Sequence, residues 1–142
     1  MEDTGTSTYA FVSQSDASGL DSSTRKRILC ADDHEDTRTM IAYWLNQRGY
    51  EVTTTSSVAE TLPLAEKGGF DLLILDGRYS DGLGVNLCKQ IRSLDGKTPI
   101  IFLSACCYNS DIKTALESGA QVYVTKPFDF DMFEQTVEKL IL

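Results

Sequence analysis

Asp32 and Asp33, Asp76, Ser104 and Lys126 each stand where an apolar run of the chain gives out. "RILCA" (Arg27 to Ala31) leads into Asp32 and Asp33, and "LLILD" (Leu72 to Asp76) closes on its own carboxylate. "PIIFLS" (Pro99 to Ser104) ends in a hydroxyl, and "QVYVT" (Gln121 to Thr125) is followed by Lys126 and Pro127. If these runs are parallel strands of one sheet, their carboxyl ends share an edge, and three carboxylates, a hydroxyl and an ammonium meet there. Two unit charges about 4 Å apart at an effective dielectric of about 20 interact by roughly 4 kcal/mol, so clustered carboxylates raise one another's pKa. A bound divalent cation relieves that repulsion. An all-oxygen set with open positions suits magnesium, which keeps waters and takes substrate phosphate oxygens as further ligands.

The elements that must position these groups follow from periodicity. The four runs and "YEVTT" (Tyr50 to Thr54) make five strands, separated by helical periods, which is the pattern of an α/β domain with a mostly parallel sheet. "LLILD" and "PIIFLS" are apolar on both faces, as central parallel strands must be, whereas "YEVTT" alternates and suits an edge. Met40, Ile41, Trp44 and Leu45 form the stripe of a first helix ended by Gly49. Ser57 and Glu60 form a capping box for a second, which Pro63 is expected to kink. Leu87, Cys88, Ile91 and Leu94 mark a third; Ile112, Ala115 and Leu116 before Gly119 mark a fourth; Phe133, Val137 and Leu140, entered from Asp129 or Asp131, mark a fifth.

The chain's 142 residues are enough for one core, and residues 1–24, rich in Ser, Thr, Gly and Asp, are too poor in apolar side chains to order on their own. They are read as a disordered tail before a domain over 25–142. Thirteen Lys plus Arg against 21 Asp plus Glu give a net charge of −8, which disfavours nucleic acid and anionic membrane surfaces as partners. The absence of a signal peptide, a long apolar span or a CxxC pair points to a cytoplasmic chain. Its four cysteines, Cys30, Cys88, Cys106 and Cys107, are expected to be reduced, and the last two to pack. The sole histidine, His34, reads as a solvated loop residue rather than a metal ligand.

Taken together, Asp32 and Asp33 after the first strand, Asp76 closing the third with Gly84 in the following loop, Ser104 closing the fourth, and Tyr123 with "KPF" (Lys126 to Phe128) at the fifth resemble the receiver domain of two-component response regulators, of the stand-alone chemotaxis-like type. Each feature alone has a commoner explanation: acids favour a helix N-terminus, and a lysine is usually solvated. Their order along the strands is what carries the resemblance, which covers Arg27 to Leu142.

The resemblance implies a flavodoxin-like, doubly wound, five-stranded parallel sheet of order 2-1-3-4-5 with five helices. It implies that Asp76 accepts a phosphoryl group from a histidine kinase or a histidine phosphotransfer protein. Asp33, Asp76 and the carbonyl of Arg78 would ligate magnesium, with Asp32 positioning the ion, and the Lys126–Pro127 bond would be cis. Lys126 and Ser104 would stabilise the transferred group, and movement of Ser104 and Tyr123 would change the face made by the fourth helix, fifth strand and fifth helix, where a downstream protein binds. With no residues beyond the fifth helix, a single-domain relay without a DNA-binding output is expected.

Ser80 stands where family members usually carry proline, which implies a looser loop. Arg78 and Cys106 occupy places that in the family influence the lifetime of the aspartyl phosphate. Three other readings compete. A pseudo-receiver that works without phosphorylation is disfavoured by the complete Asp32, Asp33, Asp76, Ser104 and Lys126 set. A flavin binder is disfavoured by "DDHEDT" after the first strand, where a Ser/Thr/Gly-rich phosphate loop would stand, and a haloacid-dehalogenase-like phosphatase by the lack of a nucleophilic DxD motif there.

Overall fold

The computed structural model describes residues 25–142; the tail expected over 1–24 lies outside the described residues. The chain order is β1 (Arg27–Ala31), α1 (Glu35–Gln47), β2 (Glu51–Thr55), α2 (Val58–Lys67), β3 (Leu72–Leu75), β4 (Arg78–Tyr79), β5 (Gly82–Leu83), α3 (Gly84–Leu94), β6 (Ile100–Ser104), α4 (Asn109–Glu117), β7 (Val122–Thr125) and α5 (Phe130–Ile141). Five strands form one parallel sheet in the order β2-β1-β3-β6-β7, which is 2-1-3-4-5 when the five are counted along the chain. The two-residue strands β4 and β5 make a separate antiparallel hairpin after β3.

Alternation along the strands explains why β1, β3 and β6 are apolar on both faces. Leu29, Ala31, Leu73, Leu75, Ile100 and Phe102 point to one side, against Leu87 and Ile91 of α3 and Ala115 of α4. Ile28, Cys30, Leu72, Ile74, Ile101 and Leu103 point to the other, against Ile41 and Leu45 of α1 and Phe133 and Val137 of α5. Both layers exclude water, so a polar side chain within these strands would lack partners. Burial pushes the Cys30 thiol up to about 12, and Cys88 is raised by the same cause, so both stay protonated packing groups. Cys106 and Cys107, by contrast, are exposed. The apolar reading of that pair fails because both lie in the loop after β6, beyond the last residue the sheet covers.

Helix ends follow local chemistry. Gly49, with φ of +93°, leaves α1 in the left-handed region expected of a glycine after a helix. The Ser57 hydroxyl accepts the Glu60 N–H at 3.1 Å, but Glu60 reaches back to the N–H and hydroxyl of Ser56, one residue short of a reciprocal box. Two further α2 donors, Val58 N–H and Ala59 N–H, go to the Asp81 carboxylate at 2.9 and 3.0 Å. The helix runs through Pro63 to Lys67. Asp129 caps α5 by accepting the Met132 N–H at 3.1 Å. Leu94, the last residue of α3, and Leu116, one position round from buried Ala115, project beyond their packed stripes and are exposed. Among the described residues, no helix is long and apolar enough to cross a membrane.

Candidate functional site

Parallel register assembles the polar cluster. Ala31 pairs with Leu75, so the next residues, Asp32 and Asp76, leave neighbouring strands side by side. Leu75 pairs with Phe102, two residues before Ser104, and Ser104 pairs with Thr125, which puts Lys126 one step further along the same edge. The groups expected from sequence to share an edge are thereby brought together.

Asp32 is almost wholly buried and fully partnered. Its Oδ2 takes the Lys126 ammonium at 2.8 Å, and its Oδ1 accepts the His34 N–H at 2.9 Å. Asp76 is equally enclosed, with its side chain 8% exposed, and only its Oδ1 is bonded, to the Gly77 N–H at 2.6 Å. Oδ2 accepts no hydrogen bond from the described residues; the nearest cationic nitrogen is Lys126 Nζ at 3.6 Å. Burial first, and then the Asp32 charge, raise the Asp76 carboxyl to about 6, against the pull of Lys126 and the Gly77 N–H. At neutral pH it is still mostly ionised, and its free oxygen is a buried anion in search of a cation.

The ends of β1 and β3 are fastened by a residue the sequence reading passed over. The Tyr79 hydroxyl accepts the Asp76 N–H at 2.7 Å and donates to the Ala31 carbonyl at 2.8 Å, and the ring is buried. Its phenol is raised far above its ordinary value by burial. The only sequence signal was an aromatic residue three places beyond Asp76 in an otherwise polar loop. Gly84, which was noted, has a defined reason: a Cβ there would overlap the Asp76 carbonyl oxygen, and the Gly84 N–H donates to the Gly77 carbonyl at 3.0 Å. Only glycine lets α3 start this close to the site. The loop carrying Ser80 is held at both ends, by the β4–β5 hairpin and by the Asp81 carboxylate on α2.

Ser104 is buried at the end of β6, with its Oγ accepting the Cys106 N–H at 3.2 Å. It lies so near Gly77 that a Cβ on that glycine would come within 2.8 Å of the Oγ. Tyr123 lies on the neighbouring strand, stacked on Phe102 with centroids 6.1 Å apart, and its hydroxyl donates to the Cys106 carbonyl at 2.7 Å. A cleft of about 730 Å³ runs from Asp76 and Arg78 past Ser104 to Thr114, Ala115 and Tyr123. The Lys126–Pro127 peptide bond is cis.

His34 is solvated, with 70% of its side chain exposed, yet its ring is turned into the cluster. Nδ1 lies 3.2 Å from Asp32, 3.1 Å from Asp33 and 3.8 Å from Asp76. Ligand atoms from Asp32, Asp33, His34 and Asp76 all fall within 4.8 Å of one another. The Asp76 Oδ2, which accepts no hydrogen bond from the described residues, and the more exposed Asp33 carboxylate are what a divalent cation would take, so the donor set suits such a cation.

Residues 28–138 match the sequence profile of the response regulator receiver domain. The chain belongs to that family. This receiver domain is 37% identical over 112 residues to the nisin biosynthesis regulatory protein NisR of Lactococcus lactis subsp. lactis, a match covering 79% of this chain and 48% of that protein. It is 40% identical over 103 residues to the alkaline phosphatase synthesis transcriptional regulatory protein PhoP of Bacillus subtilis, covering 72% of this chain and 43% of that one. The chain thus spans about half the length of the curated relatives it matches. Among solved structures, it superposes on the Vibrio cholerae chemotaxis protein CheY4 with a TM-score of 0.77 and 28% identity, over 82% of this chain and 99% of that one. The non-phosphorylated HemR receiver domain of Leptospira biflexa gives 0.78 and 30%, over 82% and 94%.

Proposed function

We propose that this receiver domain accepts a phosphoryl group on Asp76 from a phosphohistidine of a histidine kinase or phosphotransfer protein, and that the modification alters the face formed by α4, β7 and α5. The observation that carries the reading is the Asp76 carboxylate itself, with one oxygen tied by the Gly77 N–H and the other buried, unbonded and 3.6 Å from an ammonium. One oxygen of this carboxylate is the nucleophile, and the other stays with the positive charge that holds it in place. A new O–P bond forms as the P–N bond breaks, and the donor imidazole departs with its electron pair and takes up a proton. Phosphoryl transfer depends mainly on alignment and on charge stabilisation at the phosphoryl oxygens.

Lys126 is poised for that second task. Its ammonium is held by Asp32, and a short displacement brings it to an incoming phosphoryl oxygen. Asp33, Asp76 and the Arg78 carbonyl would hold magnesium, with Asp32 orienting the set; the ion would supply charge neutralisation at the phosphoryl oxygens. The Ser104 hydroxyl accepts the Cys106 N–H, a bond it would give up in turning toward the modified carboxyl. That motion loosens the same loop that Tyr123 holds through the Cys106 carbonyl, and the cleft beside Ala115 gives the ring room to move inward. A partner protein on α4, β7 and α5 would read the change.

Fluorine NMR of the protein with magnesium and beryllofluoride, a phosphoryl mimic, tests this arrangement. Bound fluoride resonances that vanish in Asp76→Asn are expected. Bound resonances that persist in that variant would overturn the assignment.

A further inference from the structure

Cys106 and Cys107 are neighbouring thiols, both open to solvent. Cys30 and Cys88, the other two cysteines of the chain, are buried and held protonated, so accessible thiol chemistry belongs to this adjacent pair alone. The pair stands between the end of β6 at Ser104 and the start of α4 at Asn109, outside any strand or helix.

Adjacency decides which chemistry suits two such thiols. One trans peptide holds their Cα atoms about 3.8 Å apart, short of the separation of about 4.4–6.8 Å that a disulfide usually takes, so oxidation to a bond between them is disfavoured. A single centre bound to both sulfurs meets no such conflict. At bonds of about 2.3 Å and a tetrahedral angle, its two sulfurs stand about 3.8 Å apart, which matches the spacing of the Cα atoms. Among the described residues, the group of three or more His, Cys, Asp or Glu side chains close enough to share an ion is the one at Asp32, Asp33, His34 and Asp76, so the cysteines offer two donors and no third. Zinc, with four ligands to find, is poorly served, whereas a soft centre satisfied by two thiolates is well served.

The pair is also joined to the groups that surround Asp76. The Cys106 N–H donates to Ser104 Oγ at 3.2 Å, the Cys106 carbonyl accepts the Tyr123 hydroxyl at 2.7 Å, and Cys106 lines the cleft that reaches Asp76. We propose that Cys106 and Cys107 form a dithiol site for one soft, thiol-seeking centre, copper(I) or a trivalent organoarsenical, and that its capture holds the β6–α4 loop so that Ser104 stays with the Cys106 N–H. Capture breaks both S–H bonds and forms two bonds from sulfur to the centre, with no change in oxidation state. With copper(I) the protons pass to solvent; with an organoarsenic oxide they leave with its oxygen as water. The site stands on the cysteines themselves, and its effect on the switch rests on the reading that Ser104 and Tyr123 respond to modification of Asp76.

The probes are copper(I), added without oxygen in competition with a chromogenic chelator, and phenylarsine oxide, followed by intact mass. Each is titrated into the full chain and into Cys106→Ser and Cys107→Ser, with circular dichroism confirming the fold. The native chain is expected to take one equivalent, with affinity falling at least 100-fold in either variant, and a small dithiol should release what a monothiol does not. The probe bound more tightly identifies the source. Affinity unchanged in either variant, two equivalents bound independently, or failure of both probes to bind would overturn the site. Amide exchange over α4, β7 and α5, compared with and without beryllofluoride, then reads the coupling: the change should be at least halved in the occupied chain and restored by the dithiol. A full-sized change in the occupied chain would overturn the coupling. No change in the unoccupied chain would overturn the reading of Ser104 and Tyr123 and the coupling with it, while the titrations decide the dithiol site separately.

Discussion

Replacing Asp76 by asparagine should stabilise the metal-free domain at neutral pH. The carboxyl is raised from 3.8 to about 6, by burial first and the Asp32 charge second, so its ionised form is held in the fold at a cost. At about 1.4 kcal/mol per tenfold change in proton affinity, that rise amounts to about 3 kcal/mol. Solvent and ions reaching the cluster past the exposed His34 and Asp33 screen the charges and reduce the net effect to about 1–2 kcal/mol. The sign follows from proton binding. Between about pH 4 and 6 the native state holds a proton that the unfolded chain has released, so native stability falls as pH rises through this window, and the loss is complete above about 6. Asp76→Asn keeps an oxygen for the Gly77 N–H and removes the charge, which should raise the urea midpoint by about 0.5–1 M at pH 7.5, for a slope of about 2 kcal/mol per M. The difference should shrink toward zero by about pH 4. Urea titrations with chelator present, at pH 4, 5.5 and 7.5, check it. A variant less stable than the native chain at pH 7.5, or a difference that does not vary with pH, would refute the reasoning.

The remaining expectations concern how the site is held. Tyr79→Phe removes the hydroxyl that bridges the Asp76 N–H and the Ala31 carbonyl; because those two groups also bond each other directly at 3.1 Å, the cost should be about 0.5–1.5 kcal/mol in the same titrations. Gly84→Ala forces a methyl group onto the Asp76 carbonyl, so about 1–3 kcal/mol of destabilisation should be accompanied by slower phosphorylation from acetyl phosphate. Lys126→Met leaves buried Asp32 without its 2.8 Å partner and should cost about 3–5 kcal/mol, read by denaturation, besides suppressing phosphorylation. Ser104→Ala should keep phosphorylation at Asp76 while reducing the beryllofluoride-induced change in amide exchange over α4, β7 and α5. Exchange changes confined to the surface around α1 and Trp44 would place the readout elsewhere.

The fold was legible because its strands and helices carry different periods. All five sheet strands lie within one residue of where the sequence places them, and in β1, β3 and β6 a strand covered on both faces has no polar position to blur its ends. The cluster was legible for a related reason: a carboxylate directly after four buried residues can stand only at a strand terminus. What escaped depends on contacts between distant segments. Nothing local to Tyr79 announces that its hydroxyl ends on Ala31, 48 residues away. Asp81 reads as a turn residue until α2 is folded against it. His34 was correctly taken as exposed, but its direction is set by the Asp32 turn, which sequence spacing does not display. Cys106 and Cys107 follow an apolar run yet sit past its buried end.

The central claim, that Asp76 is the phosphoryl acceptor, is tested most directly by intact mass. The chain is incubated with acetyl phosphate and magnesium, and fragmentation then locates the adduct in the native protein and in Asp76→Asn. The account predicts one phosphoryl group on Asp76, requiring the divalent ion and absent from the variant. An adduct of equal extent in Asp76→Asn, or one located on another residue of the native chain, would contradict it.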